Sequence, residues 1–309
     1  ERAATLHLFE LTGESRAAHE GKDVDITGLT SDSRDVRPGY LFAALDGSRA
    51  RGADFIPEAL RLGATAVLAP SGTAFDGAAP NAAQLVTDDN PRRRFAEMAA
   101  RFFLHQPRTI AAVTGTNGKT STVTFLRELW RSSGRRAASL GGLGVEGDGP
   151  LSSAALTTPD PVNLHQTLAA LAEAEVAHCA MEASSHGLDQ YRLDGVRLAA
   201  AAFLNLTRDH LDYHRDLETY FTAKARLFAE VMQPGGDAVL NADSPYRSRI
   251  EEICRNRNHR VLLFGESEGD VSLVARSDEE LQLMRKVDEL HLKHPFYGSR
   301  KIAATLKSS

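Results

Sequence analysis

A nine-residue run, TGTNGKTST at residues 114–122, combines glycine, lysine and hydroxyl side chains at a spacing that suits phosphate binding. The run follows an apolar, strand-like segment at residues 109–113 and opens a segment with helical spacing, the context that a phosphate-binding loop requires. Lys119 can reach the outer phosphates of a nucleotide, and the hydroxyl of Thr120 can bind Mg²⁺. The general motif has glycine where this sequence has Val113, so a plain strand-to-helix turn stays open as the alternative.

Three further polar residues are candidates for a functional site, and two of them, Glu182 and His210, are candidate metal ligands. Glu182 and His210 each follow a strand-like segment, and α/β proteins bind ligands at the carboxyl ends of their strands. Glu182 offers an oxygen ligand of the kind that Mg²⁺ prefers. Lys224 lies within a predicted helix that is otherwise rich in aromatic residues. The alternatives are hydrogen-bonded polar residues without a ligand for Glu182 and His210, and a surface lysine with a covered stem for Lys224.

Composition describes an ordinary globular chain of 309 residues, with 42% hydrophobic and 25% charged residues. The net charge of −5 gives no basic field for nucleic acid, and no apolar run approaches the roughly 20 residues of a membrane span. The two cysteines, Cys179 and Cys254, have no metal-site or CxxC spacing. We therefore expect a cytoplasmic, monomeric protein with neither a membrane nor a nucleic-acid partner.

The order of apolar segments predicts an α/β protein with two domains and a tail. Residues 1–106 form a small α/β domain, with strands at 41–45, 66–69 and 84–86 and helices at 56–62 and 94–104. Residues 107–270 alternate strands and helices, which predicts a mostly parallel, incomplete sheet domain. Its predicted strands lie at 109–113, 178–181, 200–204, 238–240 and 261–264, and its predicted helices at 120–132, 164–174 and 217–232.

The segment 271–309 differs from the rest of the chain. A capping-box start at residue 277 predicts a helix to about residue 293, and the run HPFYGSR follows it. This stretch resembles the helical segment that precedes the catalytic core of insertion-sequence transposases. A diverged surface helix is the alternative.

The longer motifs together resemble the Mur ligase family, and within it the MurE branch, from about residue 5 to residue 265. The motifs that carry the resemblance are TSDSR at 30–34, TGTNGKTST at 114–122, TTPDP at 157–161, MEASSHGLDQYR at 181–192, NLTRDHLDYH at 205–214 and AKARLF at 223–228.

The resemblance implies a role for each residue at a matching position. The uridine diphosphate end of the substrate would bind at Ser31, Ser33, Ser48, Arg49 and Ala50, and its dipeptide at Thr157, Thr158, Ser184, Gln190 and Arg192. ATP would bind at Gly115, Thr116, Asn117, Gly118, Lys119, Thr120, Ser121 and Asn241. Mg²⁺ would be held by Thr120, Glu182, His210 and Lys224, the last as a carbamate formed with CO₂. Lys119, His210 and Lys224 would be the catalytic residues.

The implied reaction is ATP-dependent addition of meso-diaminopimelate to UDP-N-acetylmuramoyl-L-alanyl-D-glutamate in peptidoglycan synthesis, through an acyl phosphate. Lysine is the alternative amino acid. A lysine must be neutral to take up CO₂, so the pKa of Lys224 would have to be lowered by burial or by a neighbouring cation.

Two features depart from the family pattern. The family's C-terminal domain is not found, and the match fades near Asp270, which favours a fragment that binds the precursor without ligating over an active ligase. A transposase fragment and a folate-polyglutamating ligase are further alternatives. The letters DNPR at residues 89–92 spell a motif linked to diaminopimelate recognition, but they lie in the first domain, so we interpret them as a turn and a helix start.

Overall fold

The computed structural model describes residues 5–13, 21–47, 50–75, 83–151, 156–209, 212–266 and 269–272. The helix predicted after residue 277 lies outside these residues. Among the residues that the structure describes, none of the helices combines the length and the apolar composition that crossing a bilayer requires.

Fourteen strands and eight α-helices are found within the described residues. The strands are β1 (Leu6–His7), β2 (Asp25–Ile26), β3 (Gly28–Thr30), β4 (Tyr40–Ala43), β5 (Ala66–Pro70), β6 (Gln84–Asp88), β7 (Thr109–Thr114), β8 (Ala137–Gly141), β9 (Gly144–Gly147), β10 (His178–Glu182), β11 (Ala200–Phe203), β12 (Asp237–Asn241), β13 (Arg260–Gly265) and β14 (Val271–Ser272). The helices are α1 (Leu8–Thr12), α2 (Ile56–Arg61), α3 (Pro91–Phe103), α4 (Lys119–Ser132), α5 (Pro161–Glu173), α6 (Ser185–Asp189), α7 (Leu217–Arg226) and α8 (Arg247–Asn256).

The first sheet has four parallel strands in the order β3-β4-β5-β6. Residues 66–69 of β5 are fully buried because helices cover both faces of the sheet, as parallel sheets require. One core contains Leu8, Phe95 and Met98, and the other lies around Phe42. The predicted strands in this region are confirmed, whereas β3 escaped prediction because three residues carry too little pattern.

The second sheet has eight strands in the order β14-β13-β12-β11-β7-β10-β8-β9, and every pair is parallel except β8 with β9. The predicted mostly parallel α/β sheet is therefore confirmed. The predicted single helix at 217–232 is wrong in its second half, because α7 gives way to a π-helix at Leu227–Val231. Apolar spacing cannot distinguish these two helix types over a single turn.

The two sheets meet through helices α3 and α5, which pack against each other. Gly195 lies at this contact with φ +86°, and a Cβ atom there would be 2.5 Å from the Cβ of Ala100. Val162 of α5 packs against the core of the first sheet. These contacts pack α3 against α5 and the segment around Gly195.

Candidate functional site

The predicted phosphate loop joins β7 to α4 at the carboxyl edge of the second sheet. Gly118 has φ +87°, and Gly115 approaches the neighbouring chain so closely that a Cβ atom would lie 3.0 Å from the Cβ of Leu204. The backbone amides of Thr116 and Asn117 both donate to Asn205 Oδ1, at 3.0 and 2.9 Å. Asn205, which follows β11, therefore fixes the conformation of the loop through these two hydrogen bonds.

Lys119 begins α4 and turns back onto the loop. Its Nζ donates to the carbonyl oxygens of Gly115 and Thr116, both at 2.9 Å. Burial lowers the pKa of this ammonium group. Both acceptors are neutral, so the positive charge has no carboxylate in direct contact among the hydrogen bonds of the described residues.

Glu182 ends β10 beside this loop and is only 2% exposed. Its Oε1 accepts hydrogen bonds from Thr120 Oγ1 at 2.9 Å and from the amide of Gly142 at 3.0 Å. A Cβ atom on Gly141 would lie 2.2 Å from Oε1, so glycine is required there for the carboxylate to reach the loop. A hydroxyl and a carboxylate oxygen next to the loop fit the oxygen ligands that Mg²⁺ takes.

Lys224 lies on α7 and is 1% exposed, so the alternative of a surface lysine is wrong. Its Nζ donates to the carbonyl oxygen of Gly115 at 2.8 Å and lies 4.6 Å from the centre of the Tyr220 ring. Burial, helped by the nearby charge of Lys119, lowers the pKa of Lys224 to about 6, and Asp209 acts against this shift. A large fraction of this side chain is therefore neutral at pH 7.

A second group of polar residues continues from Glu182 along the same edge. The hydroxyls of Thr158 and Ser184 lie 2.9 Å apart, and Ser184 caps α6. Arg192 donates to the carbonyl oxygen of Thr158 at 2.8 Å and to Gln190 Oε1 at 2.6 Å. Thr157 lies close by, because its Oγ1 would be 3.6 Å from a Cβ atom on Gly142. The structure therefore brings the five predicted dipeptide-binding residues together.

The remaining predicted residues are less closely grouped. Ser33 donates to Glu58 Oε2 at 2.9 Å within the first domain, and Ser31 and Ala50 are exposed. Asn241 donates to the carbonyl oxygen of Leu204 at 2.8 Å, and Ser121 is exposed on α4. Ser48, Arg49 and His210 lie outside the described residues, so their roles stay predictions.

Two residues that support the site had no assigned role in the sequence analysis. Asn205 holds two loop amides, and Tyr220 contacts both Thr116, through its hydroxyl at 3.3 Å, and Lys224. Tyr220 precedes Lys224 by four residues on one helix, and this spacing is the signal that could have paired them.

Comparison with known proteins identifies two related domains. Residues 113–307 match the Mur ligase middle domain, and residues 25–105 match the domain described as Mur ligase family, catalytic domain. The first match extends to residue 307 and so includes most of the segment 271–309, which resembles transposases. The transposase origin of that segment stays a prediction.

The curated relatives include UDP-N-acetylmuramoyl-L-alanyl-D-glutamate–2,6-diaminopimelate ligases. The protein from Rhizobium meliloti is 45% identical over 92% of this chain and 58% of its own length. The protein from Mesorhizobium japonicum is 46% identical over 85% of this chain and 54% of its own length. The chain thus spans little more than half the length of these relatives.

Solved structures share the fold. A structure of a protein with that same ligase name is 31% identical, with a TM-score of 0.74 over 86% of this chain and 54% of the other. A MurF structure from Acinetobacter baumannii is 22% identical, with a TM-score of 0.55 over 85% of this chain and 53% of the other. On the strength of the middle-domain match, which covers more than half of its residues, this chain belongs to the Mur ligase family.

Proposed function

We propose that this chain provides the nucleotide and precursor sites of an ATP-dependent ligase that adds meso-diaminopimelate to UDP-N-acetylmuramoyl-L-alanyl-D-glutamate. The observation that carries the proposal is the shared sheet edge on which the phosphate loop, Glu182 and the Thr158–Ser184–Arg192 group lie side by side. A reaction between a nucleotide phosphate and a substrate carboxylate needs both groups within contact distance.

The phosphate loop fits a nucleoside triphosphate. Bound ATP would supply the phosphoryl group that activates the substrate carboxylate as an acyl phosphate. The incoming amine would then attack the acyl carbonyl, form the amide bond and expel phosphate. The glycine backbone and the start of α4 would hold the phosphates, and Lys119 would exchange its two carbonyl acceptors for phosphate oxygens.

The metal site would be formed from the hydroxyl of Thr120 and the carboxylate of Glu182. Mg²⁺ held there would neutralise charge on the phosphates. The buried carboxylate has two hydrogen-bond donors already in place, which fix its orientation towards the loop. His210 and Lys224 would serve a second metal position.

Lys224 is suited to carry a carbamate. CO₂ adds to the neutral amine with release of one proton, and burial keeps a substantial neutral fraction of the amine at pH 7. The product is an anionic oxygen ligand, which Mg²⁺ prefers to an amine. The Tyr220 ring and the Gly115 carbonyl, which both contact Nζ, would hold this nitrogen in place.

The precursor would span the two domains. Ser31, Ser33 and residues 48–50 would hold the uridine diphosphate, and Arg192 would hold a carboxylate of the dipeptide with its planar fork. The names of the relatives favour diaminopimelate over lysine as the incoming amino acid. We place the activity in the cytoplasm and in peptidoglycan synthesis, and we infer that the chain acts as a monomer without nucleic acid.

Calorimetric titration with UDP-N-acetylmuramoyl-L-alanyl-D-glutamate, with and without Mg-ATP, tests this proposal. Phosphate release with diaminopimelate is then measured on the same sample. Binding of both ligands supports the two sites, and amino-acid-dependent phosphate release shows that the chain ligates by itself. Binding without phosphate release identifies a precursor-binding fragment that needs further parts for catalysis. Absence of precursor binding contradicts the proposal.

A further inference from the structure

Arg92 lies in the first turn of α3, at the end of the DNPR run. The predicted helix start is confirmed, since the Asn90 side chain caps α3 by accepting from the Arg93 amide at 3.1 Å. Asp88 Oδ1 in turn accepts from the amide of Asn90 at 2.7 Å. The backbone that presents Arg92 is therefore held at a fixed place.

The two arginines that follow Arg92 are already used in ion pairs. Arg93 pairs with the buried Asp194 at 3.3 Å and with Glu230 at 3.5 Å, both on the second domain. Arg94 pairs with Asp88 at 3.9 Å. The start of α3 is thus tied to the second domain by charge as well as by the packing of α3 on α5.

The surroundings of Arg92 differ from those of Arg93 and Arg94. Its guanidinium donates to the backbone carbonyl of Asp46, in the segment that leads to the predicted uridine-diphosphate residues. Within the described part of the chain, no carboxylate forms an ion pair with Arg92, although the side chain is half-buried. This half-buried guanidinium at the domain junction therefore has no ion-pair partner among the described residues.

Arg192 shows the same pattern on the other side of the junction. It donates to the carbonyl of Thr158 and to Gln190, and it has no ion pair within the described ranges. Burial lowers the pKa of Arg192, Asp160 and Tyr213 act against this shift, and the charge of Arg92 acts in the same direction as burial. The Arg93–Asp194 ion pair joins the two segments one residue from Arg92 and two residues from Arg192. An anion bound between the two guanidiniums would relieve the repulsion of their like charges.

We infer that Arg92 is a further substrate-binding residue, which joins Arg192 in holding an anionic group of the precursor across the domain junction. This inference rests on the proposed function and adds a residue to it. A guanidinium fork binds a phosphate or a carboxylate through two parallel hydrogen bonds. The precursor carries both anions, the diphosphate and the glutamyl carboxylates, and the position of Arg92 suits either.

Titration of three ligands against Arg92 variants tests the inference. UDP, UDP-N-acetylmuramic acid and UDP-N-acetylmuramoyl-L-alanyl-D-glutamate are each titrated against the wild type, Arg92→Met and Arg92→Lys. Arg61→Met, an exposed arginine on α2 of the same domain, is the matched control. Thermal unfolding of each variant confirms that it is folded.

Arg92→Met is expected to raise Kd roughly 10- to 100-fold for every ligand that carries the recognised anion, with Arg92→Lys between it and the wild type. Equal losses for all three ligands identify the diphosphate, and a loss confined to the dipeptide-bearing ligand identifies a carboxylate. The salt dependence of Kd should also weaken in Arg92→Met, which a purely structural role would not cause.

Unchanged Kd values in a folded Arg92→Met protein overturn the inference while leaving the proposed function intact. Equal losses in Arg92→Met and Arg61→Met overturn it as well, because they reveal only a general charge effect. A wild type that binds none of the three ligands overturns the proposed function, and the inference with it.

Discussion

Lys224 illustrates how one residue can be costly to the fold and useful to the site. Its ammonium group is removed from water, and the acceptor that it contacts, Gly115 O, is a neutral carbonyl. A buried ammonium group loses its proton at a lower pH than it does in water. The same burial that weakens the fold at neutral pH therefore prepares the amine for chemistry.

Replacing Lys224 by methionine should stabilise the protein in a pH-dependent way. The folded-state pKa of about 6 lies below the ordinary 10.5, so the unfolded chain binds more protons between these pH values. The stability of the wild type should then rise by up to about 1.4 kcal/mol per pH unit in this window from Lys224 alone. Urea unfolding in CO₂-free buffer from pH 6.5 to 9.5 measures the difference, which should shrink as pH rises. The exposed Lys22→Met is the control, and a difference that does not vary with pH contradicts the prediction.

We expect the Glu182→Gln substitution to weaken metal binding while leaving the fold unchanged. Glutamine keeps an oxygen that can accept from Thr120 and Gly142, but it removes the negative charge. We expect the affinity for ATP in the presence of Mg²⁺ to fall about 10- to 100-fold, with little change in precursor affinity measured without the metal. Calorimetry with and without Mg²⁺ checks this, against Glu173→Gln on the exposed side of α5 as control. An equal loss of ATP affinity in both variants would refute the assigned role.

At the scale of elements, α7 is held by a buried ion network two residues beyond Lys224. Arg226 Nη2 donates to both carboxylate oxygens of Asp194 at 2.8 Å, and its Nε donates to Glu230 at 3.1 Å. Its guanidinium also lies 4.0 Å from the centre of the Tyr191 ring. The network joins α7 to the segment after α6 and, through Arg93, to the first domain.

Arg226→Met should destabilise the protein by about 3–5 kcal/mol, because Asp194 would remain buried with much of its charge uncompensated. Arg249→Met, which removes an exposed ion pair with Glu218 near the same helix, should cost far less. Denaturant unfolding of both variants at pH 7 gives the comparison. Similar losses in the two proteins would show that the buried network contributes no more than a surface pair.

The elements differ in how far their sequences reveal them. The positions of the phosphate loop and Glu182 are predictable because residue type and strand-end position both mark them, and Lys224 is marked as a lysine within a helix rich in aromatic residues. The contact of Asn205 with amides 88 and 89 residues earlier is not, because no local pattern records it. The strand β9 also escaped prediction, since a four-residue antiparallel return with two glycines resembles a loop.

At the scale of the whole molecule, the strands of the second sheet differ in how much of their surface is exposed to solvent. The central strands β7 and β10 are almost fully buried, whereas β13 near the edge is partly exposed along its length and Leu262 is 38% exposed. Beyond β13 lies only the two-residue β14 among the described strands. Stability against local opening should therefore fall from the centre of the sheet to this edge.

Amide hydrogen exchange should follow this gradient. We expect the slowest exchange in β7 and β10 and the fastest, among strands of four or more residues in this sheet, in β13. Mass spectrometry of peptides after timed exchange measures each strand separately. Uniform protection across the sheet would contradict the expectation and would indicate that something further covers the β13 edge.

The carbonyl oxygen of Gly115 accepts a hydrogen bond from Lys119 and another from Lys224. When Lys119 turns towards a phosphate, this oxygen loses one donor and a cation moves away from the buried amine. Nucleotide binding would thus change the hydrogen bonding and the charge around Lys224 without any contact between the nucleotide and this residue. Thermodynamic reciprocity then requires that whatever modifies Lys224 alters nucleotide affinity by the same factor, so a single peptide oxygen links the two events.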